Sequence, residues 1–148
     1  MDVYNKEAVQ AVWARVTASK EQSLEEFCIR TQQAGEIYRQ LATRFPKQRS
    51  VFLTLARDEN RHAKQLSALY YLQFGCAVFR KAEPVKLSHK LCEAIRECYQ
   101  RETGAVQRYT AAAEQFPDQR SLFLSLSAES ARHAERLMAL LQTVPFNM

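Results

Sequence analysis

The chain has 148 residues, 47% of them hydrophobic, which is enough for one buried core and too many for a disordered chain. Only 3 Gly and 4 Pro stand against abundant Ala, Leu, Gln, Glu and Arg, a balance that favours long helices over sheet. The net charge of +5 comes from basic residues scattered among carboxylates, which argues against nucleic-acid binding, and no apolar run approaches the roughly 20 residues of a membrane span.

At the N-terminus, Met1-Asp2-Val3-Tyr4-Asn5-Lys6-Glu7 lacks the apolar stretch of a signal peptide, so a soluble cytoplasmic protein is expected. Lys6 to Thr17 carries Val9, Val12, Trp13 and Val16 at helical spacing, which predicts a short amphipathic N-terminal helix or subunit contact. Trp13 is a candidate anchor for a homodimer. From about Gln22, the residues Phe27, Ala34, Tyr38, Leu41 and Phe45 keep helical phase until Pro46, which cannot donate a backbone hydrogen bond and ends the run. The partner helix is predicted from about Gln48 to Phe74. Gly75 to Leu87 then reads as a connection; at about 3.3 Å per residue it reaches up to roughly 43 Å, the length of a bundle. The last two helices are predicted at about Ser88 to Gln115 and Gln119 to Val144, with Pro145 closing the second.

The hairpins are copies of each other. Phe45-Pro46-Lys47-Gln48-Arg49-Ser50-Val51-Phe52-Leu53 returns 71 residues later as Phe116-Pro117-Asp118-Gln119-Arg120-Ser121-Leu122-Phe123-Leu124. At the same offset Arg61-His62-Ala63 falls on Arg132-His133-Ala134, and Tyr38 on Tyr109. Over Arg30 to Tyr70 against Arg101 to Leu141, 18 of 41 positions are identical. The expected fold is all-α: one domain, 1–148, with a first hairpin at about 20–74, a crossover at 75–87 and a second hairpin at about 88–144. A histidine at the same place in each copy suggests a metal site on a pseudo-two-fold axis. The four cysteines, Cys28, Cys76, Cys92 and Cys98, show no Cys-x-x-Cys spacing and are expected as reduced, mostly buried thiols.

In Glu59-Asn60-Arg61-His62 the carboxylate and imidazole are three residues apart, so they leave one helix face a single turn apart. A lone Glu-x-x-His is common on charged helices; here His62 lies between Leu55 and Leu66, and His133 between Leu126 and Leu137, so both rings are expected to face inward. Without a metal, the two histidines are buried groups bonded to Glu59 and Glu102. Such a cluster is costly to bury unless it is paired or metallated. His89 has no repeat counterpart and reads as a surface residue at a helix start.

The chain resembles the rubrerythrin-like branch of the ferritin-like superfamily from about residue 20 to the C-terminus. In that family the first helix of a hairpin carries Glu-x-x-Ala-x-x-x-Tyr and the second Glu-x-x-His. Glu102-Thr103-Gly104-Ala105-Val106-Gln107-Arg108-Tyr109 matches the first motif, and Glu59 to His62 the second. The resemblance implies a ferritin-like four-helix bundle and a di-metal site in which Glu102 is a terminal ligand, Glu59 bridges, and His62 and His133 each hold one metal. It implies iron, one or two per chain, with manganese or zinc accepted by the same donors, and redox chemistry with oxygen or peroxide. Tyr38 and Tyr109 would then hydrogen-bond the carboxylates; otherwise they are buried interface tyrosines.

Two expected ligands are missing. Thr31 stands where the first hairpin should carry the counterpart of Glu102, and Ser130 where the second should repeat Glu59. The metal near His133 keeps Glu102, His133 and Glu59, whereas the one near His62 keeps only His62 and Glu59. Glu129, four residues before His133, either substitutes for the missing ligand or, like Asp58 in the first copy, faces solvent or pairs with an arginine. Rubrerythrins proper add a rubredoxin domain with two Cys-x-x-Cys pairs, which this sequence lacks, so redox turnover would need an external electron donor. The alternative is a vestigial, non-catalytic bundle that serves as an interaction or assembly module.

Overall fold

The computed structural model describes residues 5–148; Met1-Asp2-Val3-Tyr4, part of the stretch read for leader character, lies outside the described residues. Helices α1 (Lys6–Arg44), α2 (Arg49–Phe74), α3 (Leu91–Gln115) and α4 (Arg120–Thr143) carry the fold, and no strand occurs among the described residues. The chain divides into two compact units. No helix among the described residues is long and apolar enough to cross a membrane.

The first unit comprises the residues up to Thr43 together with Gln48–Pro84. Here α1 packs on α2 through Tyr38 and Phe52, whose rings stack at 6.4 Å between centroids, and through a hydrogen bond of 2.8 Å from the Tyr70 hydroxyl to Glu21. Leu24, Leu41, Leu55 and Leu66 fill the same core and are fully buried. At the end of α2, Gly75 sits at φ 72° with its N–H bonded to the Tyr71 carbonyl, a left-handed helix cap that a residue with a Cβ adopts at a cost. The irregular segment that follows is tied back to α1: Arg80 pairs with Glu25 and Glu26, and Gln33 donates to the Glu83 carbonyl.

The second unit comprises Arg44–Lys47 and Val85–Met148. It repeats the ring pair of the first, with Tyr109 and Phe123 again 6.4 Å apart, and adds Phe116 against Phe123 at 5.4 Å. The Thr110 and Ser127 hydroxyls lie 3.0 Å apart, and the Cys92 N–H donates to the Met148 carbonyl. In both hairpins a phenylalanine and a single 3-10 turn, Pro46–Gln48 or Pro117–Gln119, join the helices, as the repeated Phe-Pro-x-Gln-Arg motif requires.

Two expectations change. The segment from Lys6 to Thr17 is not a separate helix but the start of α1, which runs unbroken for 39 residues; no Gly or Pro lies between Thr17 and Gln22 to interrupt it. Helix α3 begins at Leu91, three residues after the expected Ser88, because Lys90 is extended at φ −87°, ψ 129°. The Ser88 hydroxyl accepts the Lys90 N–H and donates to Glu93. His89 is exposed, as expected.

Phe123 is fully buried and touches two other aromatic rings. Phe123→Ala should therefore lower unfolding stability by about 3–5 kcal/mol, whereas Val12→Ala, on an exposed helical face, should change it by less than about 0.5 kcal/mol. Urea unfolding followed by circular dichroism separates the two.

Candidate metal centre

In the first unit, Glu59 and His62 both project from α2 into the interior, 4% and 0% exposed. His62 Nδ1 lies 3.6 Å from Glu59 Oε2, the approach expected of side chains one turn apart on one helix. Helix α1 passes closely here because residue 35 is glycine: a Cβ on Gly35 would come within 2.8 Å of Asn60 Oδ1 and 3.8 Å of the Glu59 Cβ.

Thr31, at the position of the missing carboxylate, is buried. Its hydroxyl lies 2.8 Å from the Phe27 carbonyl and 2.9 Å from the Cys28 carbonyl, so its single proton is taken by its own helix. A neutral hydroxyl held in that way is a poor replacement for an anionic metal ligand.

In the second unit the pair is built across two helices. Glu102 on α3 and His133 on α4 are 4% and 2% exposed, and His133 Nδ1 stands 3.3 Å from Glu102 Oε1. That contact is a hydrogen bond whenever Nδ1 carries the proton. It is equally a ligand-to-ligand spacing, since a nitrogen and an oxygen held about 2.1 Å from one metal at 90–110° lie roughly 3.0–3.4 Å apart. Ser130, in the place of the second Glu-x-x-His carboxylate, is also buried, 1% exposed.

All four predicted residues, Glu59, His62, Glu102 and His133, are thus buried, and each carboxylate lies beside an imidazole within its own unit. Glu129 behaves differently. Its carboxylate is 3.8 Å from Arg132, and its repeat counterpart Asp58 is 3.4 Å from Arg61, so the two acids keep the same surface pairing in both copies. Tyr38 and Tyr109 are buried, at 2% and 4% exposure.

One neighbour was not read from the sequence. Cys98 lies one turn before Glu102 on α3 and is buried; burial first and the Glu102 carboxylate second push its thiol up to about 12. The i, i+4 spacing to Glu102 was visible, but the repeat places Phe27 opposite Cys98, so the duplication offered no second copy to mark it. Cys28 is likewise raised, to about 11, chiefly by burial.

Among known proteins, the model of the rubrerythrin family matches residues 23–141, a span that holds every one of these residues. No curated protein and no solved structure matches the chain.

The four cysteines are free thiols, three buried and Cys76 exposed. At pH 8, below the raised values of Cys28 and Cys98, both stay protonated as well as shielded. A disulfide reagent should therefore modify Cys76 rapidly in the folded protein and all four cysteines after unfolding. Mass mapping that found Cys98 modified as fast as Cys76 would contradict its burial.

Proposed function

Since the chain belongs to the rubrerythrin family, a ferritin-like family, we propose that it is a metal-binding protein in which Glu59, Glu102 and His133 hold one iron firmly and His62 serves a second, weaker position. The observation that carries this reading is the buried pair of Glu102 and His133, an anion and an imidazole at ligand spacing in the interior of the second hairpin. Glu59, Glu102 and His133 make a donor group of two carboxylates and one imidazole, which suits iron and also admits manganese or zinc. Iron held there would supply one-electron chemistry toward dioxygen or peroxide.

The residues of the chain set the limits of that chemistry. Thr31 and Ser130 supply no carboxylate, so the side of the centre nearest His62 has too few anionic donors to match the other. The apolar residues around the donors, Leu55 and Leu66 in one hairpin and Leu126 and Leu137 in the other, are buried and keep water from competing for the ligands. Electrons for any turnover come from a separate donor protein. A reducing, cytoplasmic setting belongs to the same reading and is supported by the four free thiols. The rival, a non-catalytic bundle that has kept the family fold, is favoured by the way Thr31 is bonded into its own helix.

The experiment is elemental analysis of protein purified without chelators, followed by titration with ferrous iron and then peroxide. About one metal per chain, with an optical response to peroxide, supports the redox reading; no metal, and no rise in melting temperature with metal in excess, supports the non-catalytic one. His133→Ala should remove most of the bound metal and His62→Ala little, and equal losses would defeat the asymmetry. Thr31→Glu should raise the metal content towards about two per chain while destabilising the metal-free protein, because it buries an unpaired carboxylate. Thermal melts with and without metal read both effects.

A further inference from the structure

Helix α1 outruns its partner. It has 39 residues against 26 in α2, a difference of about 20 Å at 1.5 Å per residue. Tyr70, one turn from the end of α2, bonds Glu21, so the part of α1 before Glu21 extends past the hairpin. From Asn5 to Ser19 every residue except Val9 is exposed, and among them Val12, Trp13 and Val16 are 49%, 66% and 39% exposed.

These apolar residues are not scattered. Trp13 lies five helical turns, 18 residues, before the buried Thr31 and three turns before the buried Leu24, so all three lie on one side of α1. Val9 and Val16 flank Trp13 on that side at i−4 and i+3. The stripe that α1 buries against its hairpin thus continues beyond the end of α2.

We propose that a second copy of this chain covers it, the two extensions packing antiparallel about a two-fold axis near Trp13. The charges select this occupant and this direction. The extension has Lys6-Glu7 at one end and Lys20-Glu21 at the other. In an antiparallel pair centred between residues 13 and 14, Lys6 stands level with Glu21 of the partner subunit and Glu7 with Lys20 of the partner subunit. Parallel packing would instead set Lys6, Glu7 and Arg15 each beside its own like charge. The contact is isologous, so it closes as a dimer.

Its size sets the strength. One Trp and three Val present on the order of 400 Å² of apolar surface per copy, and the resulting total of about 800 Å² lies at the low end for protein association. The dimer is therefore reversible, with a Kd on the order of micromolar. This inference is independent of the metal reading, since the extension lies outside residues 23–141 that match the family.

Sedimentation equilibrium of the full chain over a range of concentrations tests it. A monomer–dimer equilibrium is expected, weakened about 30-fold or more by Trp13→Ala, with the circular dichroism unchanged because alanine keeps the helix. Direction is read from a spin label on Lys6→Cys in a Cys76→Ser background. Antiparallel packing places the two labels on the order of 25 Å apart, and parallel packing about 10 Å. A chain that stays monomeric throughout the micromolar range, an association indifferent to Trp13→Ala, or the short label distance would each overturn the proposal.

Discussion

A carboxylate and an imidazole kept out of water together are the constraint on which this protein turns. Glu102 and His133 are almost wholly buried, and neither can be left there alone without a penalty of several kcal/mol per ion. Their 3.3 Å contact demands that α3 and α4 hold a fixed separation and register. The aromatic cluster of Phe116, Phe123 and Tyr109 near the turn supplies rigid packing of that kind. The first hairpin meets a lighter demand, because Glu59 and His62 share one helix and need only that α1 run past without crowding them. Gly35 meets it by omitting a Cβ that would press against Asn60.

Much of this was legible in the sequence because the sequence states it twice. The Phe-Pro-x-Gln-Arg turns, the tyrosine–phenylalanine pairs and the inward histidines recur at one offset, and a feature that survives in both copies of a hairpin is held there by the fold. The unbroken length of α1 was harder to read. The residues around Ser19 are weak helix formers in isolation, yet none blocks the backbone, and a helix once nucleated on a packed hairpin propagates at little cost. The late start of α3 was hidden for the opposite reason: Ser88 is a good capping residue by type, but here its hydroxyl serves Lys90 and Glu93. Cys98 and the close approach at Gly35 depend on three-dimensional neighbours that no repeat announces.

Where the copies differ, the differences bear on chemistry rather than on folding. Thr31 against Glu102 and Glu59 against Ser130 exchange an anion for a hydroxyl at positions that are buried in both hairpins. Each exchange removes a buried charge, which by itself makes a metal-free hairpin easier to fold. A centre with a full set of carboxylates ties folding to metal supply; one with fewer anions folds without it and binds metal less strongly. The two substitutions thus move the protein along one axis, from obligate towards optional metallation, while the packing that surrounds the donors is retained.

Retained packing explains why Thr31 does not destabilise the first hairpin. A glutamate cut back to a smaller side chain ordinarily leaves a void and an unsatisfied neighbour. Threonine limits both costs: its methyl group fills part of the volume, and its hydroxyl turns back to the Phe27 and Cys28 carbonyls. Serine at 130 is smaller, and buried more completely than Thr31, so the second hairpin gives up more volume at its altered position while keeping the stronger carboxylate–imidazole pair. The hairpin that retains Glu102 beside His133 is the one that can hold a metal on its own helices, and Glu59 is what the other has left to contribute.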